Sequence, residues 1–383
     1  MARVSLGEVA IEARETCKGD KSSYPIVGLE HITPGEIQLK NWDDNSDNTF
    51  TKRFNEGDVL FGRRRAYLKK AALAPFEGIC SGDITVIRAV PDKIVPELLP
   101  FIIQNDDLFD FAVGRSAGSL SPRVKWEHLK KYSFELPDMD KQRELANVLW
   151  AIENTRTGYQ DLLTATEDLV KSRFVEMFGD LVFNPMNWPS MPLVDACVDK
   201  DDIKCGPFGT QLGKNEYVRE GIPLWGIPQI NAAFTVPPTD FITEEKAEQL
   251  SAYSLLPGDI AMSRKGNVGK CAIYPVNYSR GIIHSDVLRI RVDTKRCNPM
   301  FMMCQLHFSR AIEPQIDAVS NGAVMAGINV TKLKSIVVHV PPIDIQNQFA
   351  DFVAITDKSK LVIQETLEKH AAMKAAIMRT YFK

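Results

Sequence analysis

The sequence lacks the short motifs that would announce chemistry. Its seven cysteines include no Cys-x-x-Cys pair of the zinc-holding kind, and its six histidines include no His-x-x-x-His pair. No Gly-Lys-Ser/Thr closes a phosphate loop. Asn184-Pro185-Met186-Asn187 shares its opening with the Asn-Pro-Pro-aromatic motif of amino-methyltransferases, but the second proline and the aromatic are missing and no Gly-rich cofactor loop precedes it. Asp240 with Glu244-Glu245-Lys246 is spaced too closely for a metal nuclease. These absences leave no catalytic residue, metal ligand or cofactor to expect. No apolar run approaches the ~20 residues of a membrane span, and Met1-Ala2-Arg3-Val4-Ser5 has no signal-peptide core, so a cytoplasmic protein without a membrane partner is expected. The odd cysteine count then reads as reduced thiols that fill core and surface. A basic surplus is also missing: 46 Lys and Arg stand against 49 Asp and Glu, a net charge of -3. That balance argues against a nonspecific nucleic-acid binder.

What the chain does have is a repeat. Leu136-Pro137-Asp138-Met139-Asp140-Lys141-Gln142 returns as Val340-Pro341-Pro342-Ile343-Asp344-Ile345-Gln346, pairing Pro137 with Pro341, Asp140 with Asp344 and Gln142 with Gln346. Upstream, Gly57-Asp58-Val59-Leu60-Phe61-Gly62-Arg63-Arg64 returns as Gly258-Asp259-Ile260-Ala261-Met262-Ser263-Arg264-Lys265. The two offsets differ by a loop-sized drift, so the order of elements is kept. A length of 383 residues leaves room for two cores, and one duplicated, diverged unit is the simplest reading.

Apolar runs predict strands at Asp58–Phe61, Ala71–Leu73 and Ile84–Ile87 and a helix over Pro96–Phe111. The second half repeats them at Asp259–Met262, Lys270–Tyr274, Val287–Val292 and Pro299–Ile316. Each copy is therefore expected to be an α+β domain, over residues 1–137 and 181–342. Residues 138–180 and 343–383 differ. From Asp140 to Phe178, Leu145, Leu149, Ile152, Tyr159, Leu163, Val170 and Phe174 recur at helical steps, with Asp140 as N-cap and Gly179 as stop. Asp344–Tyr381 offers Phe349, Val353, Ile363, Leu367 and Met378, though His370 and Lys374 fall where apolar residues are expected. Helices of this span reach about 57 Å. Two of them in one chain bury their stripes most simply against each other, as a helix pair or coiled coil acting as a ruler between the domains.

In each copy the Gly-Asp strand runs into a basic turn. Lys52 to Lys70 carries seven basic residues against two acidic ones. Arg63, Arg64, Arg65, Lys69 and Lys70 tip the first hairpin, and Arg264, Lys265, Asn267 and Lys270 tip the second. Arg reads guanine edges and clamps phosphates, Lys supplies point charges, and a β-ribbon so tipped can enter the major groove. A solvated hairpin kept soluble by its charges is the competing reading, and recurrence at the same place in both copies favours DNA. Arg115 and Ser119 in the Gly/Ser stretch after the first predicted helix, with Arg123 and Lys125 just beyond, could satisfy phosphates, and a flexible domain-closing loop explains them almost as well; they are further candidates. Gln211 in Gly206-Pro207-Phe208-Gly209-Thr210-Gln211, able to pair with adenine, is another.

The two hairpins, with the junction from Ser121-Pro122-Arg123-Val124-Lys125-Trp126 through Leu136-Pro137 into Gln142-Arg143-Glu144-Leu145-Ala146, resemble the specificity subunit of type I DNA restriction-modification systems over essentially the whole chain. The resemblance implies two target recognition domains, each reading one half of a bipartite, asymmetric site on double-stranded DNA. It implies antiparallel helices that fix the spacer, two modification (methyltransferase) subunits docked on the chain, and restriction subunits that complete the nuclease. It implies a non-catalytic chain. The second half has Gly327-Ile328-Asn329-Val330 where the first has Arg123-Val124-Lys125-Trp126, which leaves Arg123 and Lys125 without counterparts. A structural adaptor whose domains bind proteins is the rival from another class, and a free-standing enzyme the third.

Overall fold

The computed structural model describes residues 1–44, 49–266, 268–320 and 327–383. The chain divides into two compact units, Met1–Leu162 with Ile363–Lys383, and Leu163–Val362.

The first unit runs β1 (Ala2–Ser5), α1 (Leu6–Val9), β2 (Ala10–Glu12), β3 (Ile26–Val27), β4 (Lys52–Phe54), β5 (Val59–Gly62), β6 (Ala71–Leu73), β7 (Gly78–Cys80) and β8 (Ile84–Ala89). Then come α2 (Leu99–Ile103), α3 (Asp106–Gly114), α4 (Trp126–Leu129), β9 (Ser133–Leu136) and the start of α5 (Met139–Phe178). Its strands form sheets of order β2-β8-β5-β6 and β3-β7-β4 and a β1-β9 ribbon.

The second unit holds β10 (Ser190–Pro192), β11 (Ile203–Cys205), β12 (Ile222–Trp225), α6 (Ile227–Asn231), β13 (Asp240–Ile242), α7 (Glu244–Gln249) and β14 (Ser254–Leu255). It continues with β15 (Ile260–Ser263), β16 (Cys271–Ile273), β17 (Gly281–Ile283), β18 (Val287–Ile290), α8 (Pro299–Phe308), α9 (Glu313–Ser320), α10 (Val330–Lys334), β19 (Val337–His339) and the start of α11 (Ile343–Tyr381). Its sheets are β11-β18-β15-β16, β13-β12-β17-β14 and β10-β19. Strand for strand this is the first unit again, with β13 added at one edge. The α+β duplication expected from the repeat is what the chain folds into.

Two predicted helices prove to be broken. Pro96–Phe111 divides after Ile103 because the Asn105 side chain caps a new helix through the Asp107 N–H (3.3 Å). The Gln104 amide meanwhile leaves the helix for the carbonyls of Glu36 and Ala71 (2.6 and 2.7 Å). Pro299–Ile316 divides at the matching place, where Ser309 Oγ accepts the Ala311 N–H (3.2 Å). The cap of α5 is likewise Asp138, whose carboxylate takes the Lys141 N–H at 3.0 Å, and not Asp140. Gly179 does stop the helix, at φ 76 with its N–H on the Val175 carbonyl. Beyond it Asn184 bonds both backbone polar groups of Trp188 (2.9 and 2.8 Å), so the methyltransferase-like letters build a corner.

Each unit packs its sheets against a half of each long helix. In the first, Leu145, Ala146 and Leu149 of α5 and Phe382 after α11 are buried in one core with Phe101 and Phe134. Glu153 meets Lys374, Tyr159 meets His370 and Lys141 lies over the Tyr381 ring, so the helices run antiparallel there. Lys374 falls on the apolar stripe because it answers the buried Glu153 carboxylate (3.4 Å) and covers the Phe101 ring. In the second, Phe174 and Phe178 close on Phe301 and Phe349 with centroids 4.6 to 5.7 Å apart. The repeated Gln142 and Gln346 act as clasps at the helix starts. Each is buried, accepts one backbone N–H (Val95 or Asn298) and donates to the carbonyl of Pro137 or Pro341. Burial pushes the Cys80, Cys197, Cys297 and Cys304 thiols up to about 12, so these sulfurs stay protonated and inert.

Candidate nucleic-acid interface

Both hairpins spring from one corner. Asn55–Asp58 and Leu256–Asp259 are turns closed by the Asp N–H (3.1 and 2.9 Å), with Gly57 at φ 84 and Gly258 at φ 88, where a side chain would be strained. The aspartate after each glycine is buried. Asp58 accepts the Asn55 N–H (2.8 Å) and a bidentate pair from Arg88 (2.7 and 2.7 Å). Asp259 accepts the Leu256 N–H (2.7 Å) and the same fork from Arg291 (2.7 and 2.7 Å). The Gly-Asp motif thus ties the residue before β5 to β8, and the residue before β15 to the residue that follows β18, and aims the hairpin.

At the first tip, the Arg63 N–H donates to the Asp83 carbonyl (2.9 Å) and the Arg63 carbonyl accepts the Val124 N–H (3.0 Å). The Arg63 Nε is buried without a partner among the described residues. Arg64 reaches the Asp83 carboxylate (3.4 Å) and the Ser121 hydroxyl (3.3 Å). Arg123 grips the same carboxylate at 2.7 Å. The Arg123 guanidinium holds Asp83 below the usual carboxylate range, with Arg64 adding to it, so the brace is fully charged at neutral pH and is lost only as pH falls through that lowered value. Arg65, left-handed at φ 53, is anchored by its N–H on the Pro122 carbonyl and leaves its side chain exposed. The Gly/Ser stretch folds over this tip through paired backbone bonds between Ala117 and Arg123 (3.0 and 2.9 Å). Ser119 is exposed on that stretch, and Arg115 lies over the Phe111 ring of its own helix. Lys69 and Lys70 are drawn elsewhere, to Asp106 (2.5 Å) and the Leu29 carbonyl (2.6 Å).

The second tip repeats the backbone and changes the side chains. The Arg264 N–H donates to the Asp286 carbonyl (2.9 Å), and its carbonyl accepts the Ile328 N–H (3.1 Å). Lys265 pairs with Asp286 (2.9 Å), as Arg64 pairs with Asp83. Gly327 stands where Arg123 would be, and Arg264 instead donates to the Ile328 carbonyl (3.0 Å) and to Cys205 Sγ (3.6 Å), its guanidinium 4.9 Å over the Phe208 ring. Gln211 is drawn into the same place, its carbonyl accepting the Phe208 N–H (3.0 Å) and the Tyr253 hydroxyl (3.1 Å). The Lys270 carbonyl accepts the Ser263 N–H (2.8 Å), and Lys270 lines a neighbouring pocket. Asn267 and residues 321–326 of the second Gly/Ser stretch lie outside the described residues.

Asp83, Asp286 and Phe208 are members of these tips that composition and motif do not single out. A sequence signal existed for two of them, since Ser81-Gly82-Asp83-Ile84 and His284-Ser285-Asp286-Val287 open matching strands. Among the described residues no group of His, Cys, Asp and Glu could hold a metal ion, and no helix is long and apolar enough to cross a membrane.

The sequence profile of the type I restriction modification DNA specificity domain matches residues 2–163 and again 203–370. A candidate type I restriction enzyme MjaX specificity subunit of Methanocaldococcus jannaschii is 21% identical over 379 residues, covering 91% of this chain and 86% of that protein. The crystal structure of a type I restriction-modification S subunit from M. genitalium aligns over 100% of this chain and 96% of its own with a TM-score of 0.61, at 13% identity. A chain from a structural study of assembly and conformational transition in a type I restriction-modification system aligns over 99% and 95% with a TM-score of 0.50, at 21% identity. Two matches of one domain profile, on two units built around the same braced hairpin, show that the chain belongs to the type I restriction-modification DNA specificity family.

Proposed function

We propose that this chain is the DNA-recognition subunit of a type I restriction-modification enzyme, with residues 1–137 reading one half of a bipartite target and residues 181–342 the other. One observation carries the reading. The bonds that fix Arg63 between Asp83 and Val124 recur at Arg264 between Asp286 and Ile328, while the side chains presented there differ. A shared frame with unlike tips is what two readers of unlike half-sites need. In the first unit Arg64, Arg65 and Arg123 offer guanidiniums for guanine edges and phosphates. In the second, the Arg264 guanidinium lies over the Phe208 ring, and Lys265 offers a point charge.

The chain supplies recognition, and its partners supply the chemistry: two modification subunits docked on α5, α11 and the recognition domains, joined by restriction subunits. The paired long helices set the length of unread DNA between the half-sites. The assembly works in the cytoplasm. A protein-binding adaptor would have no use for two basic tips braced by buried frames.

Exchanging residues 1–137 for those of a relative with another target tests the two-reader reading. Methylation-sensitive sequencing of cells carrying the hybrid enzyme should show one half-site replaced and the other unchanged. Replacement of both halves, or of neither, overturns it.

Asp83 adds a second expectation. A carboxylate beside a phosphate backbone repels it, so Asp83 lowers affinity for every duplex while holding Arg64 and Arg123 in one geometry. Asp83→Asn keeps the backbone bond to Arg63 and removes the charge. The assembled enzyme should bind scrambled duplexes about 3- to 10-fold tighter, its preference for the target should fall, and its salt dependence should steepen by about one phosphate contact. Equal weakening on target and scrambled DNA would show that Asp83 does not set this discrimination.

A further inference from the structure

Beside the second hairpin lies a pocket of about 490 Å³ that the reading above leaves unused. Its wall carries Lys171 of α5, Lys270 at the start of β16, His307 at the end of α8, and Arg310 from the break between α8 and α9. Glu313 and Asp317 of α9 complete its charged lining. None of the three permanent cations has an ion-pair partner among the described residues.

The duplication supplies an internal comparison. In the first unit the residue after the cap that breaks the helix is Asp106, and it holds the hairpin's Lys69 (2.5 Å). In the second unit the residue after the corresponding cap, Ser309, is Arg310, and Gly269 stands in the place of Lys69, since Lys70 and Lys270 are the matching residues whose carbonyls accept the Gly62 and Ser263 N–H. Lys70 donates to the Leu29 carbonyl (2.6 Å), whereas Lys270 lines the pocket with Arg310. Where one copy has the Lys69–Asp106 pair, the other has Gly269 and an Arg310 with no ion-pair partner among the described residues. Three cations gathered at one depression favour an anion there, against the two carboxylates that share its wall.

We propose that this pocket is a phosphate-binding site, occupied by a phosphate group of the DNA backbone or of a free phosphoester. Lysines act on phosphate as point charges, and Arg310 adds a planar fork of donors. The three cations against Glu313 and Asp317 leave one positive charge in excess, and a proton on His307 makes it two, matching a dianion. Desolvation in the wall, with Lys270 and Lys171 adding to it against Glu167, holds the His307 imidazole below its ordinary value. A bound phosphate reverses that, so the ring reports occupancy. The DNA source of the phosphate rests on the function proposed above, and the free source does not.

Arg310→Asp puts at an exposed position the residue type that Asp106 supplies in the first unit, and should leave the melting temperature of the full chain unchanged. Lys171→Ala, on the exposed helix face, is the second variant should the first fail to fold. In one arm, pyrophosphate is titrated into the full chain while the His307 ring is followed by NMR. In the other, the salt dependence of duplex binding is measured for the enzyme assembled with its modification subunits. A free phosphoester as occupant moves the His307 midpoint up by about one pH unit in the unaltered chain and not in the variant. A DNA phosphate as occupant lowers the variant's salt slope by about one contact. No change in both arms, or pyrophosphate binding that Arg310→Asp leaves intact, overturns the site. An unaltered enzyme that binds no duplex refutes the proposed function, and the pyrophosphate arm still judges the pocket.

Discussion

Alanine at Arg63, Arg64 and Arg65 together is expected to lower affinity for the target duplex by about 100-fold or more and to end methylation of the site. A good bidentate base contact discriminates by ~1–3 kcal/mol, and a lost phosphate contact weakens binding on any sequence. Arg63 has no ion pair among the described residues, Arg65 is exposed, and Arg64 shares Asp83 with Arg123, so little intramolecular bonding opposes their use on DNA. The fold should tolerate the change. The hairpin is placed by backbone bonds at Arg63 and Arg65 and by the Asp58 corner, and half-exposed pairs such as Arg64–Asp83 contribute ~0–1 kcal/mol. Lys69→Ala serves as comparison, because that lysine is committed to Asp106 and should cost far less. Binding of target and scrambled duplexes across salt, with methylation of the assembled enzyme, makes the measurement. Unchanged methylation in the triple variant would return the chain to the adaptor class.

The frame was legible in the letters, and the reason is physical. Gly57 and Gly258 are needed at left-handed turns, Asp58 and Asp259 at the corners those turns close, and Gln142 and Gln346 at the helix starts they clasp. Requirements tied to single backbone positions survive divergence as recognisable strings. The long helices were legible because burial on one face imposes a period. What escaped is set by tertiary partners. Asn105 and Ser309 break helices inside apolar runs because the segments beyond them turn to cover another part of the core, and a periodicity count passes over them. Lys374 looked like a flaw in a stripe until Glu153 was seen across from it. Asp83 sits 20 residues from Arg63 in sequence and braces the tip only once β5 and β8 pair, Gly62 opposite Ile84. For the same reason the candidate basic residues divided: Arg64, Arg65, Arg264 and Lys265 gather at the tips, whereas Lys69 and Lys70 are held by Asp106 and the Leu29 carbonyl and Lys270 lines a separate pocket.

The corner aspartates carry the largest expected effect on stability, and the two copies should respond unequally. Each aspartate is buried and forked by a partly exposed arginine, and removing one partner of a buried pair typically costs ~3–5 kcal/mol, with the lower end applying where the remaining charge still reaches water. Arg88 keeps a second carboxylate, Glu15 at 2.7 Å, after Asp58→Ala. Among the described residues Arg291 keeps a long contact to the Ser254 carbonyl (3.5 Å) and no second carboxylate within ion-pair distance after Asp259→Ala. Asp259→Ala should therefore cost about 3 kcal/mol or more, and Asp58→Ala about 1 kcal/mol less. For a unit of this size the larger loss lowers the melting temperature by roughly 6 to 12 °C. Hydrogen exchange on the full chain assigns the damage: amides of β15 and β18 lose protection in Asp259→Ala, and those of β5 and β8 in Asp58→Ala, each variant sparing the other unit. Because the corner aims the hairpin, the half-site read by the damaged unit should be lost before the protein unfolds, while the other half is still read. Equal destabilisation by the two variants would mean that Glu15 does not relieve Arg88, and loss of both half-sites in either variant would mean that the two frames are not independent.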